Sequence, residues 1–451
     1  MVRLVAFALV FGSGIALGQG TRAPGNVDRG TLGLQRETRQ SISFRDAVEL
    51  ALKNNVSTLV AAERKSEARG LRTESRSGLM PSVSGAVSET SSTRNLAALG
   101  FAVPGFPTFI GPFKVFDARF SLAQSIFDLS AIRQYQVGKA GVKVAELQEQ
   151  LAREQVASQA ALAYLNALRT AREVQTAEAN LELAKVLTIL AENQKQAGIA
   201  TGVDVTRAQT RQSQEEVNVA QANTAANQAM FQLLRITGLS LSSAPVLSDP
   251  LKYQEESGPS TETAVSTARN QRPEVQVAEE QVKVASLETK AAKAERLPSI
   301  DFVANYGSSG ITPSNTDFPT RDVGVRLSVP IFNGGATEGR IQAAASRQRQ
   351  AEIQLRDVEQ QIEQDVRDAL QTLATSADQV KAANQSVVLA ERELQMARDR
   401  FAAGVGDNIE VVNAQTSLAN ARDSQVTALA QHNAARINIA AALGRVQDFR
   451  W

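Results

Sequence analysis

The sequence predicts a mainly α-helical chain carrying a membrane β-barrel portion, made by writing one helix–hairpin–helix unit twice. Three observations predict it: an internal duplication, very long helical runs with a thin apolar stripe, and strand pairs with one apolar and one charged face. Hydrophobic residues make up 43% of the 451 residues but aromatics only 5%. The apolar content is therefore mostly Ala, Val and Leu, which suits long helices lying side by side better than a thick globular core.

The duplication is plainest at two glycine-bearing stretches. "AGIATGVDVTRAQT" begins at Ala197 and "AGVGDNIEVVNAQT" at Ala403, 206 residues later. "MPSVSGAVSE" at 80 returns as "LPSIDFVANY" at 297, and "LAQSIFDLS" at 122 as "LSVPIFNGG" at 327. Residues 43–238 and 260–444 are one unit in two copies, joined by a segment at 239–259 and followed by a short tail at 445–451. The period is too long for a solenoid repeat and marks a duplicated domain.

Each element has its own signal. Residues 1–18 hold one Arg, a short uncharged apolar run and small residues at Ala16 and Gly18, the pattern of an export signal. Residues 19–42 read as an extended segment. The first helix starts where Ser43 and Asp46 stand at capping-box spacing and is expected to run to Gly78, before Pro81. A strand pair follows, then a helix from about Arg133 to Gln196 without proline. Its stripe of Leu183, Leu187 and Leu190, flanked by Ala177, Ala184 and Ala191, is narrow enough for a coiled-coil seam. The glycine turn, a second helix to Gly238 and the repeat of the whole order complete the chain.

In "FDARFSLAQSIF", Phe116, Ala118, Phe120 and Leu122 alternate with Asp117, Arg119 and Ser121. Asp301 and Arg326 alternate in the same way with Ile300, Phe302, Val325 and Leu327. Ten of the 16 Phe residues fall within 101–127 and 302–332, the strand regions. Aromatics crowded on strands, with Asp117, Arg119, Asp301 and Arg326 on the other face, fit a membrane barrel with a wet lumen. Four strands cannot close, however, and an open edge cannot sit in lipid. Several copies must share one wall, and this argument alone does not fix their number. The alternative, a periplasmic coiled-coil structural or interaction protein that forms no pore, explains the helices and the signal but leaves the apolar strand faces without a role.

Other classes find no support. A net charge of +1 gives no case for nucleic acid. Cysteine is absent, which removes thiol catalysis and thiolate metal sites. The lone histidine, His432, sits inside a helix and reads as a packing or surface residue, and no phosphate loop or metal-ligand spacing occurs. No enzyme activity, cofactor or metal is expected.

The chain resembles the TolC family of outer-membrane efflux proteins. The resemblance rests on the duplicated order with "RPEV" at 272–275, "RLPSI" at 296–300, "VPIFNGG" at 329–335 and the two glycine turns ending in "AQT", and it spans about Ser43 to Gly444. It implies a homotrimer with a 12-strand barrel in the outer-membrane lipid, continued by a long α-helical coiled-coil tunnel through the periplasm. Such a passive conduit serves tripartite efflux or type I secretion, with a periplasmic adaptor (membrane fusion) protein and an inner-membrane pump of RND or ABC type. The tips that meet the adaptor would be Gly198, Ile199, Thr201 and Gly202 in one copy, and Gly404, Val405, Gly406 and Asp407 in the other. Asp204, Glu410 and Asn413 fall where the family places constriction residues. Thr201 to Asp204 and Asp407 to Glu410 also have capping-box spacing, so both acids are expected to cap their helices. The tyrosine and arginine with which some members latch the tip stand here as Phe401 and Gly406, which implies a more weakly latched mouth.

Overall fold

The computed structural model describes residues 41–100, 105, 107–256, 258–314 and 318–451. The expected export signal at 1–18 and residues 19–40 of the extended segment lie outside the described residues.

The first copy runs β1 (Ser41–Ile42), α1 (Phe44–Asn54), α2 (Val56–Ser77), β2 (Ser82–Asn95), β3 (Phe109–Phe127), α3 (Leu129–Gln196) and α4 (Gly202–Thr237). After β4 (Val246–Leu247) the second copy repeats it: α5 (Thr261–Gln271), α6 (Pro273–Ala294), β5 (Ser299–Gly310), β6 (Phe318–Ser328), α7 (Ala336–Ala402) and α8 (Asn408–Ala442). The long helices α3 and α7 hold 68 and 67 residues. At 1.5 Å per residue each is about 100 Å long.

Ser43 and Asp46 form the capping box that their spacing predicts, with Ser43 N–H donating to Asp46 Oδ2 at 3.0 Å. The helix does not continue unbroken to Gly78. Asn55 interrupts it with an extended ψ of 136° and caps α2 by accepting from the Ser57 amide. The cause is tertiary: Asn54 and Asn55 donate side-chain hydrogen bonds to the last carbonyls of α4, at Thr237 and Ile236. These carbonyls lack helical partners at a helix C-terminus, and the broken chain supplies donors. The second copy breaks at the equivalent place, Arg272, where Pro273 opens α6. Helix α3 starts four residues before Arg133, because Asp128 caps it through the Ala131 amide.

The strands make one antiparallel sheet in the order β2-β3-β5-β6. Its register pairs Val83 with Leu122, Phe120 with Tyr306, Ala304 with Val323 and Phe302 with Val325. Val83, Val87, Phe120, Tyr306, Val323, Val325 and Leu327, all on this face, are between 63% and 71% exposed. Side chains alternate across a pleated sheet, so Asp117, Arg119, Asp301 and Arg326 share the opposite face. Arg119 pairs with Asp117, which also accepts from Ser309 Oγ at 2.6 Å, and Asp301 stands directly opposite Arg326.

The main core lies where α1, α3, α4 and α8 meet, around Phe44, Val156, Tyr164, Leu233 and Ile437. Around it the connecting segments form a strap. Strand β1 pairs in parallel with β4, and the Tyr164 hydroxyl, 0% exposed, lies 2.7 Å from Asp249 Oδ2 and 3.0 Å from the Ile42 carbonyl oxygen. Burial and the neighbouring Asp249 raise the phenol's pKa, so it stays protonated and donating. Residues 252–256 are pinned to α8. His432 Nε2 lies 2.9 Å from the Gln254 carbonyl, Asn433 donates to the Lys252 carbonyl, and Arg436 pairs with Glu256. His432 is thus a packing residue, buried and engaged through both ring nitrogens. The C-terminal tail turns back into the same core. Trp451 stacks on Phe44 and its indole N–H donates to the Pro250 carbonyl.

Among the described residues no helix is long and apolar enough to cross a membrane. The exposed apolar surface that suits lipid belongs to the sheet.

Candidate functional site

At the far end of each long helix the chain reverses in the same way. In the first copy the Ile199 amide donates to the Gln194 carbonyl and the Gly198 amide to that of Lys195, closing a Schellman turn. In the second, Val405 donates to Arg400 and Gly404 to Phe401. Such a turn needs a left-handed residue just past the helix, and Gly198 and Gly404 supply it with φ of 73° and 72°. Gly202 and Gly406 lack positive φ. Gly202 opens α4, while Gly406 leaves room for Arg400, whose Cβ would lie 3.0 Å from an added Cβ. Ile199, Thr201, Val405 and Asp407 are exposed on these turns.

The two acids diverge. Asp204 closes a complete capping box: its carboxylate accepts from the Thr201 hydroxyl at 2.6 Å and the Thr201 amide at 2.8 Å. These hydrogen bonds, the hydroxyl first, hold the Asp204 carboxyl below its ordinary pKa of 3.8. A depressed carboxylate stabilises the fold above the unfolded pKa and loses that contribution as pH falls through the folded one. Amide exchange in the first turn of α4, corrected for intrinsic rates, should therefore rise as pH drops below 3.8. Asp204→Asn should abolish this dependence, and its persistence in that variant would assign it elsewhere.

Glu410 does not follow suit. The expected box at Asp407 is absent, since the Asp407 side chain makes no capping bond. The Glu410 carboxylate turns to Arg400 instead, accepting from its Nε at 3.1 Å. A guanidinium offers a stronger, charge-assisted bond than a backbone amide, and it draws the acid away from its own helix end. Asn413 is exposed one turn further along α8. Phe401 is 4% exposed and packs in the seam with Leu187, Leu394, Val411 and Leu418. The stripe of Leu183, Leu187 and Leu190 faces this same seam, so it joins the two helical hairpins.

Sequence reasoning missed two residues here. Arg400 lies ten positions from Glu410, outside the i, i+4 range over which helical charges are paired on sight. Asn408, the first residue of α8, is buried at 4% exposure and donates through Nδ2 to the Asp204 carbonyl at 2.7 Å. No local sequence signal marks it, because its acceptor is 204 residues away.

A sheet with a lipid-suited outer face, a polar inner face and about 100 Å of paired helices beneath it defines a subunit of an outer-membrane channel. The chain belongs to the outer membrane efflux protein family, whose sequence model matches residues 47–239 and 264–445. It is 25% identical to the alkaline protease secretion protein AprF of Pseudomonas aeruginosa over 401 residues, covering 86% of this chain and 81% of that one. It is 22% identical to the outer membrane protein TolC of Escherichia coli over 345 residues, 74% of this chain and 70% of the relative. The fold also matches the CmeC outer membrane channel of Campylobacter jejuni with a TM-score of 0.79 at 19% identity, covering 95% of both chains. By name these relatives are a secretion protein, an outer membrane protein and an outer membrane channel, and the chain is an outer-membrane protein of this family.

Proposed function

We propose that three copies close their sheets into one 12-strand barrel and that the helices continue it as a periplasmic tunnel. The assembly is a passive conduit for efflux or type I secretion, working with a periplasmic adaptor and an inner-membrane pump of RND or ABC type. The observation that carries this reading is the direction of the two bare edges. Each neighbour in the sheet is antiparallel, so β2 and β6 run opposite ways. The β6 edge of one copy can therefore continue the antiparallel ladder with the β2 edge of the next, and the ring leaves no edge in lipid. Asp117, Arg119, Asp301 and Arg326 then line the lumen.

The turns at Gly198–Gly202 and Gly404–Asp407 are the adaptor-facing tips, and Asp204, Glu410 and Asn413 set the constriction. Ring charges govern ion passage through such a mouth. Here Arg400 offsets Glu410, and Asn413 is neutral, so the ring is only weakly acidic. The test is the purified protein in detergent and in planar bilayers: a particle of three chains and discrete conductance steps are expected. A single-chain particle that leaves bilayers silent would overturn the reading.

A further inference from the structure

We propose that Asn408 is the residue that ties the two helical hairpins of each copy together at their tips and so restrains the mouth from opening. This rests on the conduit reading, because it assigns the restraint on that conduit's gate.

The groups that might otherwise bridge the tips are engaged within their own hairpin. The Asp204 carboxylate is taken by Thr201 and lies 3.6 Å from Arg207 on its own helix. Arg400 and Glu410 pair across the turn of the second hairpin. Phe401 has no polar atom on its side chain and is sunk in the seam. Asn408 is different. Its side chain leaves α8 and reaches the backbone of α4, where the Asp204 carbonyl accepts from Nδ2 at 2.7 Å. Apart from the apolar seam around Phe401, one other tip hydrogen bond crosses between the hairpins among the described residues, a long 3.4 Å approach of Gln194 Nε2 to the Ala402 carbonyl. The next crossing bond, Arg422 to Asn180, lies far from the turns.

Burial gives the Asn408 bond its leverage. The side chain is 4% exposed, so a partial separation of the hairpins strips the amide of its acceptor before water can replace it. An unmatched buried donor is costly, whereas a fully hydrated one is not. The bond therefore raises the barrier to the first part of the motion and favours the joined state. The acceptor is a main-chain carbonyl, which no substitution at Asp204 removes. The tie thus depends on the side chain at position 408 alone.

The experiment is the open fraction of the full-length protein in planar bilayers. Asn408→Leu keeps the branched outline in a larger side chain and loses the donor, Asn408→Ala removes both, and Gln425→Ala is the control. Gln425 donates to Asn384 at 2.8 Å in an exposed bond inside one hairpin, so its removal deletes a side-chain amide bond without touching the tie. Both Asn408 variants should raise the open fraction about fivefold or more per tip, with Gln425→Ala at the parent level. Asn408→Leu keeps the test valid where the alanine variant fails to assemble. An unchanged open fraction in assembled Asn408→Leu overturns the tie, as does an equal rise in Gln425→Ala. Conductance in the variants with a silent parent supports it. Silence in all of them removes the conduit itself, a result distinct from an unaltered gate.

Discussion

Val325→Arg should prevent the protein from assembling in the outer membrane. Val325 is 66% exposed on the apolar face, opposite Phe302. An arginine on the lipid face of a barrel costs about 2–4 kcal/mol near the bilayer midplane. The proposed ring of three copies would bear it three times, about 6–12 kcal/mol, comparable with the whole stability of a typical domain. Gly324→Ser, one position away, points to the polar face and meets only ordinary contact with Val303 there. It should assemble normally. Heat-resistant oligomer in outer-membrane fractions measures both, and normal assembly of Val325→Arg would show that this face does not meet lipid.

Loss of Tyr164 should release the strap around the helices. Tyr164→Ala removes a wholly buried ring packed against Phe44 and Trp451, at about 3–5 kcal/mol by analogy with other aromatic truncations. Tyr164→Phe keeps the ring and loses the hydroxyl that links Asp249 to the Ile42 carbonyl, costing about 0.5–1.5 kcal/mol. The readout is tryptic cleavage after Lys252, whose carbonyl is held by Asn433. Cleavage tracks the open population when closing is fast, so it should speed up strongly in the alanine variant and modestly in the phenylalanine one. Parent-like rates in both would mean that the strap is held by α8 alone.

The fold was legible where a short-range period carries it. Alternation of two assigned the faces of β3, β5 and β6, and the duplication predicted the same order of elements in both copies. The break at Arg272 carried its own signal, because a residue before proline is pushed out of helical geometry. The break at Asn55 carried none. It is made by the end of α4 arriving from more than 180 residues away. The same limit explains Glu410. Its spacing from Asp407 equals that of Asp204 from Thr201, and only the folded hairpin brings Arg400 close enough to compete. Asn408 and the return of Trp451 to Phe44 are likewise products of the assembled core, invisible to any local window.

The two bare, oppositely running edges of the sheet have a genetic consequence. In the proposed ring each chain must offer one sound border to either neighbour, so a copy damaged along β2 or β6 would spoil every ring that it joins. With the proposed three chains to a ring, a cell making equal amounts of sound and damaged chain would keep roughly one intact ring in eight. Such alleles would act dominantly, their harm set by dosage and not by the loss of one copy's share.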